Sequence, residues 1–262
     1  MNLHFYKFHG NGNDFVIIDN RSINISLSKL QIDNLCNRRI GVGADGLILL
    51  DKSNDYDFKM IYYNADGNVG SMCGNGGRCV AAFANMLGIV GAKMKFEAYD
   101  GVHEAVVEAE TIQSVEWDIS LQLADVIDVN VGNNYYFIDT GSPHYIEFVD
   151  DVAKIDIDRV GKIIRESDTF KPDGTNVNFV ELADDNIIVR TYERGVEEET
   201  LSCGTGVTAA AIAASLQNGK RLISVHTKGG LFTVKFDFYN DKYTNVWLRG
   251  PARLVFDGEI NI

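Results

Sequence analysis

The sequence predicts a protein of two structurally equivalent halves, each combining short β-strands with one buried helix. Residues 64–91 and 194–219 carry the prediction. Each stretch places a cysteine, Cys73 or Cys203, in a glycine-rich turn directly before a segment that is apolar on every side. We therefore expect each half to present one cysteine at the start of a buried helix.

A constant offset supports the duplication. Cys203 follows Cys73 by 130 positions. The same offset relates the motif pair ADGLILL and GTNVNFV through Gly46 and Asn176, and the pair GNGNDFVIID and GSPHYIEFVD through Asp14 and His144. Three motif pairs at one offset are hard to obtain by chance, so the halves are predicted to share one order of elements.

The division into domains follows from the chain length and the offset. A chain of 262 residues accommodates two domains of ordinary size. No Pro- or Ser-rich linker is present, so the change of domain is predicted inside connected strands near residues 115–119. We assign residues 1–117 to an N-terminal half and 118–249 to a C-terminal half. The last segment, residues 250–262, has no counterpart in the repeat and is predicted to return to the first half.

The first half reads as strands around a single surface helix before its cysteine. Residues 3–19 predict a hairpin whose turn, HGNGND, could point Asn11, Asn13 and Asp14 into a site. Residues 28–39 predict an amphipathic helix with Ser28 as its cap and a basic last turn. Strands follow at GVGADGLILL and DFKMIYYNADG, and after the cysteine helix a meander at KMKFEAYD, HEAVVEAE and SVEWDISLQLA.

The second half repeats this order. A strand and turn are predicted at TGSPHYIEFVD and a helix near residues 158–167. Strands follow at NVNFVEL and NIIVRTYERG, and then the second cysteine with its helix. Three more strands close the half: ISVHTKGG, LFTVKFDFY and TNVWLRG.

Composition excludes several classes of function. A net charge of −13 argues against nucleic acid or an anionic membrane as the main partner. Four cysteines are too few for a disulfide scaffold, and the N-terminus lacks the features of a signal peptide, so we expect a cytoplasmic protein. The longest apolar run, residues 80–92, is broken by Asn85 and is shorter than the roughly 20 residues that cross a bilayer. A soluble protein is predicted.

The setting of the two cysteines indicates proton chemistry. The N-terminus of a helix offers unpaired N–H groups and a positive dipole end, which lower the pKa of a thiol from its usual value of about 8.5. Glycines at the first and third positions after each cysteine leave these N–H groups bare, so a substrate carboxylate could settle there. The glycines are Gly74, Gly76, Gly204 and Gly206. Two such helix ends facing each other would form an anion site flanked by two thiols.

Two equivalent acid/base groups suit the inversion of a stereocentre. A thiolate removes the α-proton from one face while a thiol delivers a proton to the other, and the roles exchange in the reverse direction. The structural alternative is a pair of cysteines packed as small apolar residues. Cys36, which no glycine turn precedes, is interpreted as such an inert thiol.

Three other functions are alternatives to this interpretation. A zinc site is disfavoured because neither cysteine has a C-x₂₋₄-C partner or a nearby histidine. Acyl transfer with His144 as base leaves the second cysteine without a role. A binding module without catalysis is the non-enzyme alternative. Because GNGNDF, GVGADG and CGNGG do not fit a dinucleotide fingerprint, we expect a reaction without nucleotide, metal or pyridoxal phosphate.

The sequence resembles the diaminopimelate epimerase family over nearly its whole length. The matching stretches, in order, are HGNGNDF, GVGADG, YNADGNVGSMCGNGGRC, GSPH, TNVNF and YERGVEEETLSCGTG. The resemblance implies an α+β fold of two pseudo-symmetric domains, each a β-barrel-like antiparallel or mixed sheet around a central apolar helix. It implies an active site in the cleft between them, where LL- and meso-diaminopimelate are interconverted without a cofactor.

The resemblance also implies roles for individual residues. Cys73 and Cys203 would be the acid/base thiols, flanked by His144 and Glu193. The carboxylate of the reacting centre would be held by Gly74, Asn75, Gly204 and Thr205. The distal amino-acid end would be held by Asn11, Asn64, Asn176 and Arg194, with Arg194 able to grip a carboxylate as a fork. No metal ligand is implied, the partner is a small amino acid, and a homodimer is what the family implies.

Two positions depart from the family pattern. Ser142 stands in GSPH where the family commonly has GNPH, and Gly46 stands where some members carry a glutamine. Both leave the thiol chemistry unchanged. They bear on the substrate, so the alternative is an epimerase of the same fold that acts on proline, hydroxyproline or histidine.

Overall fold

The computed structural model describes residues 1–70, 72–110 and 115–262. Ser71 of the first cysteine turn and Ser114 of the third meander segment lie outside the described residues. The chain divides into two compact units: Met1–Leu121 with Gly250–Ile262, and Gln122–Arg249. The sequence predicts the first boundary within residues 115–119, and the first unit extends to Leu121.

The first unit is a barrel-like sheet with one helix inside it and one outside. Its elements are β1 (Asn2–Gly10), β2 (Asn13–Asp19), α1 (Lys29–Cys36), β3 (Gly46–Asp51), β4 (Phe58–Asn64), α2 (Gly74–Met86), β5 (Lys93–Ala98), β6 (Gly101–Glu110) and β7 (Glu116–Gln122). Each strand pairs with the next along the chain, in parallel for β2 with β3 and β4 with β5. The last strand of the chain, β16 (Lys242–Asn261), pairs with both β7 and β1 and so closes the sheet.

Helix α2 lies in the core of the first unit. It is buried from Gly74 to Ala84 and packs against β1, β2, β3 and β6. Small residues such as Ala81 and Ala82 let the surrounding strands approach it closely. A helix without a polar face must be buried on all sides, which is the arrangement predicted for this segment.

The second unit has the same architecture. Its elements are β8 (Val129–Val131), β9 (Tyr136–Asp139), β10 (Pro143–Phe148), α3 (Ile157–Arg165), β11 (Asn176–Leu182), β12 (Asn186–Glu193), β13 (Glu198–Thr200), α4 (Gly204–Asn218), β14 (Leu222–Thr227), β15 (Gly230–Tyr239) and the first part of β16, with short 3₁₀ helices at Val152–Lys154 and Asp168–Phe170. The sheet order is β8-β9-β10-β11-β12-β14-β15-β16, and β13 pairs with β12. The α+β class and the barrel-like sheets around a central helix are therefore confirmed.

Helix α4 lies in the core of the second unit. It is buried from Gly206 to Ser215, among alanines that pack against the surrounding strands. The helix ends at Asn218 and is capped by Gly219, which has a φ of 72° and donates its N–H to the Ser215 carbonyl. A left-handed residue at this position is the usual device that stops a helix.

The closing segment of the first unit has a counterpart that the repeat in the sequence did not reveal. In the second unit the Leu123 N–H donates to the Val246 carbonyl, and Val126 forms a bridge with Tyr243. Strand β8 then pairs with β9, which occupies the position of β1. Residues 122–131 thus connect the last and first strands of their unit, as residues 250–261 do in the other. The prediction of no counterpart was wrong because these short pairings leave no motif in the sequence.

Several predicted element bounds also need correction. Helix α1 keeps its Ser28 capping box but ends at Cys36, so it has no basic last turn. The predicted strand TNVWLRG and the segment ARLVFDGEINI are parts of the single strand β16. Strands β8, β9 and β13 were not predicted, since β8 and β13 are only three residues long. Among the described residues, no helix has the length and apolar character needed to span a membrane.

Candidate active site

Cys73 is the N-cap residue of α2. Its backbone is extended, with φ −101° and ψ 149°, and its Sγ accepts the Gly76 N–H at 3.2 Å. The sulfur therefore occupies the place that a serine or aspartate oxygen takes in an ordinary cap. A Cβ on Gly76 would lie 3.2 Å from the same sulfur, which explains a glycine there. The N–H of Gly76, predicted to be bare, binds the thiol itself.

A buried arginine lies one turn further along α2. The Arg78 guanidinium donates to the side-chain oxygens of Asn11 at 2.8 Å and Asn75 at 2.9 Å, and to the Gly74 carbonyl at 3.3 Å. Burial lowers the pKa of Arg78 to about 10, against the opposing effect of Cys79, Cys73 and Asp118. The group is charged at neutral pH, so a buried cation orders two of the predicted substrate-binding amides.

A second amide connects this network to the sulfur. The Asn75 amide nitrogen donates to Asn13 Oδ1 at 3.2 Å, and the Cys73 Sγ lies 3.9 Å from the same oxygen. Asn13 in turn donates to Asp45 at 2.7 Å. The hairpin turn therefore does point side chains at the cysteine, and Asn13 is the residue that reaches it.

An ion cluster supports this turn. Asp14 accepts from Arg38 through both of its oxygens, at 2.7 and 2.8 Å, and lies 2.7 Å from Lys7 Nζ. Burial opposes the charged form of Asp14, but the hydrogen bonds from Arg38 and Lys7 prevail and hold its pKa far below the usual range. Arg38 lies two residues past the end of α1, so its charge serves this cluster and not the last turn of the helix.

Cys203 is the N-cap residue of α4, but its surroundings differ. Its Sγ lies 3.4 Å from the Thr205 hydroxyl, and its backbone has φ −124° and ψ 111°. Thr205 is fixed further by the Thr140 hydroxyl, which donates to the Thr205 carbonyl at 2.9 Å. The first thiol thus meets a backbone N–H, and the second meets a hydroxyl group.

His144 lies behind Thr205. Its Nε2 is 2.9 Å from the Thr205 hydroxyl and 3.0 Å from the Ser142 hydroxyl, and the two hydroxyls are 3.2 Å apart. Complete burial lowers the pKa of His144 to about 3, and the charge of Arg194 adds to this effect. His144 is therefore neutral at physiological pH. Ser142, noted in the sequence as a departure from the family, is part of this polar cluster.

Asn176 and Arg194 are joined directly. The backbone N–H of Arg194 donates to Asn176 Oδ1 at 2.9 Å. The Asn176 amide nitrogen donates to Ser142 Oγ at 3.3 Å and to the Pro143 carbonyl at 3.0 Å. Glu193 accepts the Thr200 hydroxyl at 2.8 Å. Three predicted site residues therefore lie around the end of β12, where the chain turns into β13.

The structure groups the predicted site residues by unit. Cys73, Gly74, Asn75 and Asn11 share one network in the first unit, and Asn64 lies at the end of β4, opposite Gly46. His144, Asn176, Arg194, Cys203 and Thr205 are linked in the second unit, with Gly204 as the first residue of α4 and Glu193 beside Arg194.

Two residues that sequence reasoning missed complete these networks. Arg78 is one, and Asn178, whose amide lies 3.1 Å from His144 Nδ1, is the other. The available signal was a charged or amide side chain inside an otherwise apolar segment, because a buried polar group needs a partner. The described residues contain no group of three or more His, Cys, Asp or Glu side chains that could hold a metal ion.

The remaining two cysteines are placed differently. Cys36 and Cys79 are both buried, and burial raises the pKa of Cys36 to about 11 and that of Cys79 further still. A thiol with a raised pKa forms little thiolate and reacts slowly. The expectation that Cys36 is an inert packed thiol agrees with this environment.

Comparison with known proteins identifies the family. The model of the family described as diaminopimelate epimerase matches residues 5–119 and 136–255, which include every motif described above. The chain belongs to the diaminopimelate epimerase family. It is accordingly an isomerase, as the resemblance implied.

Its relatives within the family match almost its full length. The diaminopimelate epimerase of Flavobacterium psychrophilum is 47% identical in an alignment of 259 positions that covers 97% of this chain and 99% of that protein. The diaminopimelate epimerase of Chlorobaculum tepidum is 44% identical with the same coverage.

Solved structures share the fold at much lower identity. A phenazine biosynthesis protein of the PhzF family from Bacillus anthracis has a TM-score of 0.78 at 14% identity, covering all of both chains. A hydroxyproline epimerase from Agrobacterium vitis has a TM-score of 0.69 at 14% identity, covering 99% of this chain and 91% of that one. Identity this low supports the fold alone.

Proposed function

We propose that this epimerase interconverts LL- and meso-2,6-diaminopimelate by a two-base mechanism in which Cys73 and Cys203 are the acid and base. The observation that carries the proposal is the duplicated position of the thiols: each unit makes one cysteine the N-cap of its own buried helix. The names of the full-length relatives support the choice of substrate.

The reaction moves one proton in and one proton out. A thiolate takes the α-proton, so the Cα–H bond breaks and an S–H bond forms, and the electron pair passes to the α-carbon and its carboxylate. The thiol on the opposite face then gives its proton to the carbon and becomes a thiolate. The enzyme finishes with the two protonation states exchanged, and proton exchange with solvent restores it.

The substrate carboxylate at the reacting centre is assigned to the two helix N-termini. Free N–H groups and the dipole at a helix start favour an anion, and this preference grows as negative charge moves onto the carboxylate. Gly74, Asn75, Gly204 and Thr205 provide the backbone there. Because Arg78 holds the Asn75 side chain through its oxygen, the amide is already oriented before substrate binds.

The distal amino-acid end is assigned to Asn11, Asn64, Asn176 and Arg194. Arg194 would bind the distal carboxylate as a fork, while Asn176 contributes by holding the Arg194 backbone, since its amide already bonds Ser142, Pro143 and Arg194. Glu193 is assigned to the α-ammonium group of the reacting centre. A site built around two polar ends rejects an analogue that lacks one end, because its own donors would remain unpaired.

His144 is assigned the part of a neutral donor beside Cys203 and Thr205. A group with a pKa of about 3 does not accept a proton at neutral pH. This disfavours the acyl-transfer alternative, which needs His144 as a base.

The cellular setting is part of the same proposal. Diaminopimelate is a precursor of lysine and of the cell wall, so the enzyme is assigned to that biosynthesis, in the cytoplasm, without pyridoxal phosphate, metal or nucleotide. A homodimer is implied by the family. Light scattering on the purified protein tests it, with a mass of about twice 29.0 kDa expected.

A substrate panel tests the proposed reaction. Purified protein is incubated separately with LL-diaminopimelate, lysine, proline, trans-4-hydroxyproline and histidine, and the stereochemistry of each is followed by chiral chromatography. We expect turnover of diaminopimelate at least about 10⁴-fold faster than of lysine, the margin by which an unpaired polar site discriminates. Faster turnover of a cyclic amino acid or histidine would assign the chain to the alternative substrate class, and no turnover at all would favour a binding role.

A further inference from the structure

The side chain of Asn178 lies directly behind His144, away from Thr205. Asn178 is on β11, completely buried, and its amide nitrogen is 3.1 Å from His144 Nδ1. A Cβ on Gly206 would overlap the Asn178 oxygen, so the first turn of α4 is built around this amide.

The orientation of the Asn178 amide is fixed by the Tyr145 backbone carbonyl, and the Thr191 hydroxyl is placed to complete the same arrangement. The Tyr145 backbone carbonyl, at 3.0 Å, can only accept, so the atom facing it is the amide nitrogen. The Thr191 hydroxyl donates to the amide oxygen at 2.9 Å. The same nitrogen therefore donates to His144 Nδ1, which must carry no proton.

The tautomer of His144 follows. A neutral imidazole carries one proton, and with Nδ1 acting as an acceptor that proton is on Nε2. Nε2 faces the hydroxyls of Thr205 at 2.9 Å and Ser142 at 3.0 Å. When Thr205 accepts from the imidazole, its own proton is free to point at the Cys203 sulfur, 3.4 Å away.

We propose that Asn178 is a positioning residue that fixes the Nε2–H tautomer of His144 and thereby directs the Thr205 hydroxyl proton toward Cys203. A hydrogen bond donated to sulfur favours the thiolate, the form that accepts the substrate proton. The inference rests on the proposed function through the acid/base role of Cys203. In this proposal, Cys203 is oriented by the hydrogen-bonded chain Asn178–His144–Thr205. The surroundings of Cys73 are instead ordered by the buried cation of Arg78.

A direct test reads the tautomer itself. The protein is labelled with ¹⁵N-histidine, and the ring nitrogens of His144 are assigned among the five histidines by comparison with His144→Gln. In the wild-type protein at neutral pH we expect a proton on Nε2 and none on Nδ1. In Asn178→Asp, where a carboxylate can only accept, we expect a proton on Nδ1. Wild-type protein with the proton on Nδ1 would overturn the proposal without any variant.

A second test asks whether the effect passes through Thr205. The pH dependence of iodoacetamide alkylation is measured at Cys203 by peptide mass spectrometry in the wild type, Asn178→Asp, Thr205→Val and the double variant. We expect each single change to shift the alkylation midpoint of Cys203 by on the order of 1 pH unit. We also expect Asn178→Asp to add almost nothing once Thr205 is valine, because the two act along one chain.

Two controls accompany this test. Cys73 in the same samples reports on general damage, and its midpoint should not move. Ser215→Ala removes a buried hydroxyl of α4 that donates to the Ile212 carbonyl, and should leave both readouts unchanged. Additive shifts in the double variant would mean that Asn178 acts by another route. None of these readouts needs turnover, so failure of the substrate assignment is distinguishable from failure of this proposal.

Discussion

The Arg78 guanidinium donates a hydrogen bond to the Asn75 side-chain oxygen across 2.9 Å, entirely inside the first unit. Because the amide oxygen faces Arg78, the amide nitrogen of Asn75 faces the other way and donates to Asn13 Oδ1. That oxygen lies 3.9 Å from the Cys73 sulfur. One buried cation thereby sets the orientation of the amides around the first thiol.

Arg78→Lys should therefore lower stability and turnover together. Lysine keeps the charge but is shorter and has a single nitrogen. It therefore cannot take the places of both guanidinium nitrogens, of which one donates to Asn11 and Asn75 and the other to the Gly74 carbonyl. A buried acceptor left unpaired costs about 1–3 kcal/mol. Urea denaturation should show that loss as a lower midpoint with an unchanged slope. Arg39→Lys, at an exposed position just after α1, is the matched control. Wild-type stability in Arg78→Lys would show that the fork is not needed.

Replacing Asp14 should destabilise the first unit by leaving a buried cation. Lys7 and Asp14 are 8% and 14% exposed, so Asp14→Asn removes the charged partner of a lysine that has little access to water. Breaking one side of a buried pair costs about 3–5 kcal/mol, whereas removing both charges is often close to neutral. We expect Lys7→Met to recover much of the loss in the double variant. Asp168→Asn, which removes an exposed pair with Lys171, should change nothing measurable.

Buried neutral His144 should make the fold sensitive to acid. Its pKa is about 3 in the folded protein against an ordinary value of 6.5, so between these values the unfolded chain binds a proton that the folded chain does not. The contribution is fully present above pH 6.5 and is lost as the pH falls toward 3, at about 1.4 kcal/mol per pH unit.

The slope of the unfolding free energy between pH 6 and 4.5 isolates this effect. In His144→Gln the slope should be smaller by about 1.4 kcal/mol per pH unit, the effect of one bound proton. His226→Gln changes an exposed residue of β14 and should keep the wild-type slope. Equal slopes in the wild type and His144→Gln would mean that His144 titrates normally in the folded protein.

Cys36 and Cys79 should be dispensable for turnover. Both are buried with a raised pKa, and neither caps a helix. Cys36→Ala and Cys79→Ala should keep turnover within about twofold of wild type, with a small loss of stability from the volume removed. Steady-state rates of diaminopimelate epimerisation measure this directly. A loss of 10²-fold or more, the size expected for an acid/base group, would assign one of them to the chemistry.

Much of the fold could be predicted because its signals are local. The alanine-rich segments after Cys73 and Cys203 have no polar face, so burial on all sides was the only stable outcome, and Ser28 followed by Gln31 forms the capping box that starts α1. The helix end at Cys36 could not be read in this way. Just past this end, Arg38 pairs with Asp14, 24 positions before it in the chain, and that partner cannot be read from the local sequence.

The candidate site was predictable only in part for the same reason. The two cysteines could be identified because each lies in a duplicated glycine turn. The roles of Arg78 and Asn178 could not, because they depend on partners 67 and 34 positions away in the chain. Both residues lie in otherwise apolar segments, one helical and one in a strand. A polar residue there predicts that a hydrogen-bond partner exists, but not which residue it is. Ser142 shows the converse, because a position that looked like a change of substrate contact lies against His144 and Thr205.

The two-base mechanism is tested most directly by the early fate of deuterium. LL-diaminopimelate is incubated with the enzyme in D₂O to less than about 5% conversion. Product and remaining substrate are then separated by chiral chromatography, and the deuterium content of each is measured by mass spectrometry. With one thiol removing the proton and the other delivering deuterium, the product should carry one deuterium at the inverted centre while recovered substrate stays unlabelled. Cys73→Ala and Cys203→Ala should each keep less than about a tenth of wild-type turnover. Deuterium appearing equally in recovered substrate and product, or substantial turnover by either variant, would contradict the mechanism and indicate a single base.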